Sequence, residues 1–479
     1  MTLLGGLTPR AFLHRHWQKT PCLIRKAVPG FIPQIPQISP NELAGLACEE
    51  TVGSRLIIKI RTLAGWRVRH GPFKKADFRT LPARNWTLLV QDTDKHLPTL
   101  AGFLDNFRFI PNWRIDDLMI SYATDGGSVG AHVDAYDVFL LQAQGRRRWA
   151  ISSKPQRKAH QMPGLELQQV CAFKPQHTWV LEPGDMLYLP PGVAHHGVAI
   201  GECMTFSIGC RAPTDAEMLA DLSSLLLERT HNARHYSDPD LAPATSDPGL
   251  ISEKLRAAIR RRLRSALHPS DAELDEWFGR FITESKSWLS PIPARRPLAT
   301  ALLRQRLASG RGLVRDPAVN MAWCHAKSHT VKLFVNGHCQ PLPTRLSGLA
   351  QLLCGHRRYA ANKLKSYLIH KEAVETLADL YNMGMLHIPM NVRPYSVRKA
   401  DWHSDRTAIR RVRLDVFVHE QHAPEKFEWD GLDESCLHAL ASDAGDRPIR
   451  TGRLLDNGQI GRMVVLASWR GTGGRSACI

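Results

Sequence analysis

His132 and Asp134 stand two residues apart in "GAHVDAYDVFLLQAQGRRRW" (130–149), at the head of an apolar run that ends in Arg146, Arg147 and Arg148. Read as a strand, period two puts this imidazole and carboxylate on one face, with Val133 turned away. Side by side they are two of the three ligands of a facial triad, which leaves positions open on Fe(II) for a chelating cosubstrate and dioxygen. The third ligand, a second histidine, has to come from elsewhere. "EPGDMLYLPPGVAHHGV" offers His195 and His196 directly after a tight Pro-Pro-Gly turn, and strand alternation lets only one of them point inward. A cosubstrate carboxylate would need a cation, and a planar guanidinium from the arginine run can hold it bidentately. Trp149 shares parity with Arg147, so Arg148 faces the other way. His-x-Asp alone is more often surface polarity, and Pro-Pro-Gly more often just a turn. Their occurrence together, in this order and in one block, is what points to a metal centre.

The elements that must position these residues are strand-like. Between 116 and 212, "DLMISYAT", "DVFLLQA", "RRWAIS", "HTWVLEPGDMLYLPPG" and "CMTFSIGC" are short β-rich runs separated by turn residues, with no helix between them. That spacing predicts a sandwich or barrel, and a jelly roll fits. After Pro213 the texture is helical: "TDAEMLADLSSLLLERT", "ISEKLRAAIRRRLRSAL" and "DAELDEWFGRFITESK" carry acidic first turns and basic later ones. "SPIPARRP" (290–297) reads as a linker. Beyond it, "HTVKLFVNGHCQPL" is a strand pair with a hairpin turn at Asn336-Gly337, followed by a helix in "RYAANKLKSYLIHKEAVETLADLYNMGML". A hairpin among helices is consistent with a winged helix.

The chain has 479 residues, which suggests about three domains. Its 63 Lys+Arg against 45 Asp+Glu give a net charge of +18, which favours an anionic partner such as nucleic acid or a ribonucleoprotein. Ten cysteines show no CxxC pair, as expected of a reducing, cytoplasmic setting rather than a disulfide frame or zinc site. No signal peptide and no run of about 18 apolar residues is present, so no membrane association is expected.

"MISYATDGGSVGAHVDAYDVFLLQAQGRRRW", "EPGDMLYLPPGVAHHG" and "FSIGCRAP", with "FLHRHWQKTPCLIRKAVPGF" and "FGRFITES", resemble the bacterial ribosomal oxygenases of the JmjC/cupin class. The resemblance covers roughly residues 1–388. It implies a JmjC/cupin double-stranded β-helix over 1–212, a helical dimerisation region over 213–290 and a winged-helix-like domain over 291–388. It also implies Fe(II)- and 2-oxoglutarate-dependent use of O2 to hydroxylate an arginine of a large-subunit ribosomal protein, by a homodimer. Carried over onto this chain, His132, Asp134 and His195 become the metal ligands and the catalytic centre. Arg147 becomes the 2-oxoglutarate anchor, Asp125 a carboxylate for the substrate guanidinium, and His196 a residue at the substrate mouth. Asp125 fits a structural turn in "TDGG" nearly as well. Thr205 stands beside the cosubstrate where an asparagine is expected.

The C-terminal stretch, 395–479, is similar to the first half of a GNAT acetyltransferase, an α/β half-domain. Its helix "RTAIRRVRLDVFVHEQ" and three strands precede a turn in which Arg470, Gly471 and Gly473 match a coenzyme A pyrophosphate loop. Arg475 breaks that motif, and the helix the phosphate would sit on is missing, so this portion is expected to be inactive. Two other readings compete with the arginine hydroxylase: a non-catalytic cupin and winged-helix protein that binds nucleic acid or regulates, and a histidyl hydroxylase.

Overall fold

The computed structural model describes residues 3–27, 36–60, 65–153, 155, 170, 173–228, 237, 251–327, 329–389, 395–443, 445–456 and 458–469. The chain divides into two compact units, residues 1–310 with 314–387, and residues 388–479 with 311–313.

Nine strands build the site-bearing part of the first unit: β1 (Cys22–Ile24), β2 (Ser54–Lys59), β3 (Trp66–His70), β4 (Trp86–Val90), β5 (Ile115–Ala123), β6 (Val138–Ile151), β7 (His177–Leu181), β8 (Met186–Leu189) and β9 (His195–Cys210). They hydrogen-bond in the order β1-β8-β6-β9-β5-β4-β2-β3, with β7 on β6. The two runs "DVFLLQA" and "RRWAIS", expected as separate strands, are one strand of 14 residues. It carries register shifts between Gln142 and Arg146, and Gly145 has φ +62°. The shifts let β6 change partners along its length, from β8 at Val138–Leu141 to β7 at Arg147–Ile151. β9 stays paired with it throughout, so one pair of long strands serves both layers of a β-sandwich. Gly145 is obligatory at the bend, because a Cβ would lie 2.0 Å from the Glu202 carbonyl oxygen. Leu56, Val90, Leu118, Ile120, Phe139, Leu141 and Phe206 form the main core, with a second core of Val138, Leu140, Trp149, Ile151, Leu187 and Leu189.

Helices follow at Asp215–Glu228, Glu253–Leu267 and Asp271–Thr283. The third packs closely through Gly279, where a Cβ would lie 2.4 Å from the Phe334 ring. Phe334 belongs to the hairpin of strands Thr330–Val335 and His338–Pro343, joined at Asn336 and Gly337 with φ +45° and +81°, the two-residue turn expected. The segment read as one helix from 358 to 386 breaks instead. A short turn at Ala361–Leu364 precedes the helix Lys371–Asn382. The stretch 290–297 is seated, with Ala294 N donating to Asn382 O at 2.9 Å.

In the second unit, strand Tyr395–Ala400, helix Trp402–Arg413 and strands Leu437–Asp443, Pro448–Leu454 and Ile460–Val465 form an antiparallel sheet in chain order. The first of these strands was not anticipated, since "YSVRKA" shows no clean alternation. Arg413 is fully buried between Glu428 and Asp433. Arg470, Gly471 and Gly473 lie outside the described residues.

Candidate metal centre

His132 and Asp134 are not on a regular strand, contrary to expectation. Residues 131–137 run irregularly, and β6 begins at Val138. What fixes the segment is an isolated bridge to β9: His132 N donates to His195 O at 3.0 Å and His195 N to His132 O at 2.9 Å. Gly192 N donates to Asp134 O at 2.8 Å, tying the segment to the Pro-Pro-Gly turn as well. Two motifs about 60 residues apart in sequence are thereby clamped backbone to backbone.

The clamp aims three side chains at one point. The ligating atoms of His132, Asp134 and His195 lie within 4.8 Å of one another. The Asp134 carboxylate is 3.8 Å from His132 Nε2 and 3.6 Å from His195 Nε2. Each imidazole has its Nδ1 on a backbone carbonyl, His132 on Gly130 at 3.1 Å and His195 on Val193 at 2.9 Å. A carbonyl can only accept, so Nδ1 carries the proton and Nε2 presents its lone pair to the centre. Burial, and then the neighbouring His132, push the His195 imidazole down to about 4. It is therefore neutral at physiological pH, the form a metal requires. The two orienting carbonyls left no signal in the sequence, because any residue supplies a carbonyl.

One strand over, Arg147 is 3% exposed and Trp149 5%, while Arg148 is exposed on the other face, as parity requires. Arg147 pairs in register with Ala199, and Trp149 with Gly197, two residues beyond His195. Arg147 Nη1 donates to Ser121 Oγ at 3.0 Å and to Thr205 Oγ1 at 3.3 Å; Thr205 in turn donates to Gln142. No carboxylate among the described residues neutralises Arg147, and its Nε has no partner. Burial disfavours its charge and pulls its pKa down. An enclosed guanidinium held by two hydroxyls and the face of the Trp149 ring, 5.2 Å away, with no carboxylate partner among the described residues, is built to receive an anion. The room for one is kept by Gly197, where a Cβ would meet the Trp149 ring at 2.7 Å and Arg147 Nε at 2.9 Å. Gly197→Ala should therefore displace Arg147 or Trp149 and destabilise the chain by about 1–3 kcal/mol, checked by urea unfolding.

The two residues expected to meet substrate lie outside the triad itself. The Asp125 carboxylate takes the Arg84 guanidinium and the Gly201 amide (2.9 Å), six residues along β9 from His195, roughly 20 Å of strand. These contacts fit the turn role, and among the described residues none of them reaches the triad. His196 faces away from His195 into a cleft of about 400 Å³ shared with Lys59, Trp66 and Arg148, whose floor includes Gly130 and Ala131. Tyr136, two residues past Asp134 and 44% exposed, was missed by sequence reasoning, although its spacing from Asp134 was available. Burial raises its phenol pKa, and Asp134, Asp117 and Asp116 reinforce the shift.

Known proteins resemble the chain in this same region. Residues 102–218 match the JmjC domain family and 262–387 a ROXA-like winged helix. The Escherichia coli ribosomal protein uL16 3-hydroxylase is 41% identical over 305 residues, covering 64% of this chain and 79% of its own. The chain belongs to the JmjC ribosomal oxygenase family. A probable ribosomal oxygenase of Haemophilus influenzae is 37% identical over 239 residues, 49% of this chain and 55% of that one. The E. coli ribosomal oxygenase YcfD, solved in complex with cobalt and 2-oxoglutarate, superposes with a TM-score of 0.67 at 34% identity over 80% of this chain and 98% of its own. The His132–Asp134–His195 donor set and the unneutralised Arg147 fit an Fe(II) ion and a 2-oxoglutarate carboxylate respectively. No helix among the described residues is long and apolar enough to cross a membrane.

Proposed function

We propose that this chain is an Fe(II)- and 2-oxoglutarate-dependent dioxygenase that hydroxylates an arginine side chain of a large-subunit ribosomal protein. The observation that carries it is the triad itself: two imidazoles, each held at Nδ1 by a backbone carbonyl, and a carboxylate converging on one point, one strand from a buried arginine that makes no ion pair among the described residues. Iron with 2-oxoglutarate and dioxygen supplies the oxidising power. The protein's residues do the rest. His132, Asp134 and His195 hold the ion, with Gly130 and Val193 fixing their tautomers. Arg147, steadied by Ser121 and Thr205, takes the distal carboxylate of 2-oxoglutarate. Trp149 and Gly197 wall the space between them.

An arginine rather than a histidine is favoured by the rim beyond Asp134, where Tyr136 and the exposed Asp116 line one cavity. A permanently charged guanidinium is drawn to such a rim more strongly than a mostly neutral imidazole. Asp125, engaged with Arg84, is not assigned to the substrate in this reading. His196 is proposed to contact substrate from the cleft it lines, next to the segment that carries His132. Helices Asp215–Glu228 and Glu253–Leu267 leave Leu219, Leu227, Leu263 and Leu267 more than half exposed, which supports pairing of this region with a second copy. The test is succinate release by the full chain supplied with Fe(II), 2-oxoglutarate and arginine-bearing segments of ribosomal proteins. Release stimulated by such a segment, and lost when its arginine becomes lysine, supports the reading; stimulation only by histidine-bearing segments supports the histidyl alternative.

We also infer that residues 395–479 are an acetyltransferase-like half-domain without activity. Support comes from their strand, helix and three-strand order. The purified chain should turn over no acetyl-CoA, as followed by release of free thiol.

A further inference from the structure

A cavity of about 480 Å³ lies in the first unit, lined by the jelly roll, the segment after it and the winged-helix region. One corner holds three arginines from separate parts of the chain: Arg108, Arg315 and Arg357. Arg315 N donates to Arg357 O at 2.8 Å, which fixes those two side by side. Part of their role is structural. The helix Ser347–Gly355 ends here, and its last carbonyls are met by side chains: Leu353 O by Arg315 Nη1 at 3.5 Å, Cys354 O by Asn112 at 2.8 Å, and Gly355 O by Arg108.

Capping does not account for the charge. Among the described residues one carboxylate pairs with these arginines, Asp105, which takes Arg108 at 2.8 Å and Arg357 at 3.3 Å; Asp92, Asp116, Glu217 and Glu284 line the cavity without pairing with any of the three. A helix C-terminus adds roughly half a negative charge. Three guanidinium groups therefore exceed their compensation by more than one unit. The excess is enclosed: Arg315 is 6% exposed, it makes no ion pair among the described residues, and its Nε has no hydrogen-bond partner. Arg357 Nη1 is likewise buried without a partner. Burial lowers the Arg315 pKa; Tyr359 and Cys354 act against the shift, and Arg357 and Arg108 add to it. A desolvated, uncompensated cation is costly to maintain, whereas planar guanidinium forks with free N–H groups match the oxygens of a carboxylate or phosphate.

We propose that this corner binds the oxyanion of a small molecule, a phosphate or carboxylate group, at a site separate from Arg147 and bridging the jelly roll to the winged-helix region. A nucleic-acid backbone does not suit it, because Arg315 lies too deep for a polymer to reach, while the cavity has room for a compact ligand.

The experiment is thermal unfolding and titration calorimetry of the full chain with inorganic phosphate and, separately, citrate, against chloride at equal ionic strength. We expect a saturable rise in Tm with at least one oxyanion and none with chloride. Arg357→Gln should weaken that binding by about tenfold or more while leaving the metal-centre residues untouched. Arg315→Met is the second variant, expected to bind no oxyanion here and, having lost an uncompensated buried charge, to unfold no earlier than the parent. A response to phosphate alone assigns a phosphorylated ligand, and one to citrate alone a carboxylate. The proposal is overturned if neither anion binds, if Arg357→Gln binds as tightly as the parent, or if the citrate response is removed by Arg147→Met and kept by Arg357→Gln.

Discussion

Replacing His132 by alanine is expected to reduce substrate-coupled succinate release by on the order of a thousandfold or more, since the metal contributes several kcal/mol to the transition state. The fold should survive. The clamp to His195 is made by backbone atoms, which alanine keeps, and the imidazole is only partly buried. The fall in activity should therefore come with unchanged circular dichroism and a Tm within a few degrees of the parent. Iron binding to the inactive variant, followed by calorimetry, should weaken in parallel. Full activity in a folded His132→Ala chain would remove the triad from the mechanism.

Arg147→Met has the second large effect, and it separates binding from stability. The loss of a charge-assisted bidentate contact of about 3–4 kcal/mol should raise the KM for 2-oxoglutarate by roughly two to three orders of magnitude. The ligand-free chain should not lose stability, because the substitution removes an enclosed guanidinium that no carboxylate compensates. Parent and variant should thus have similar Tm values alone and diverge when 2-oxoglutarate is added, with the parent alone stabilised. A KM within threefold of the parent would place the anchor elsewhere, Thr205 and Ser121 included.

The chemistry of this chain was more legible than its backbone. Residue types and order alone brought together His132, Asp134 and the Pro-Pro-Gly histidines, because a metal centre needs particular donors and few sequences supply them in one block. Strand parity also sorted Arg147 from Arg148 correctly. The same parity argument misdescribed residues 131–137. Their geometry comes from the bridge to His195 and the tie to Gly192, not from a strand of their own. Reading turn residues as strand ends split β6 in two, since Gly145 reads as a turn in sequence but acts as a bend within a continuous ladder. Asp125 was named for a substrate from the family resemblance, with a structural turn role in "TDGG" kept beside it. What the sequence could not display was Arg84, 41 residues away, already occupying it. The arginine corner escaped notice for the same reason. Arg108 and Gly355 are 247 residues apart, and only tertiary packing makes neighbours of Arg108, Arg315 and Arg357.

The most direct test is mass spectrometry of large-subunit ribosomal proteins from cells with and without this chain, with the purified chain, Fe(II), 2-oxoglutarate and isotopically heavy dioxygen added back to the second set. The account predicts one oxygen atom on an arginine in the first set, its loss in the second, and its return as heavy oxygen on the same residue with the parent but not with His132→Ala. If no oxygen is lost or restored at any residue while the chain binds iron and 2-oxoglutarate, the ribosomal hydroxylase reading is contradicted.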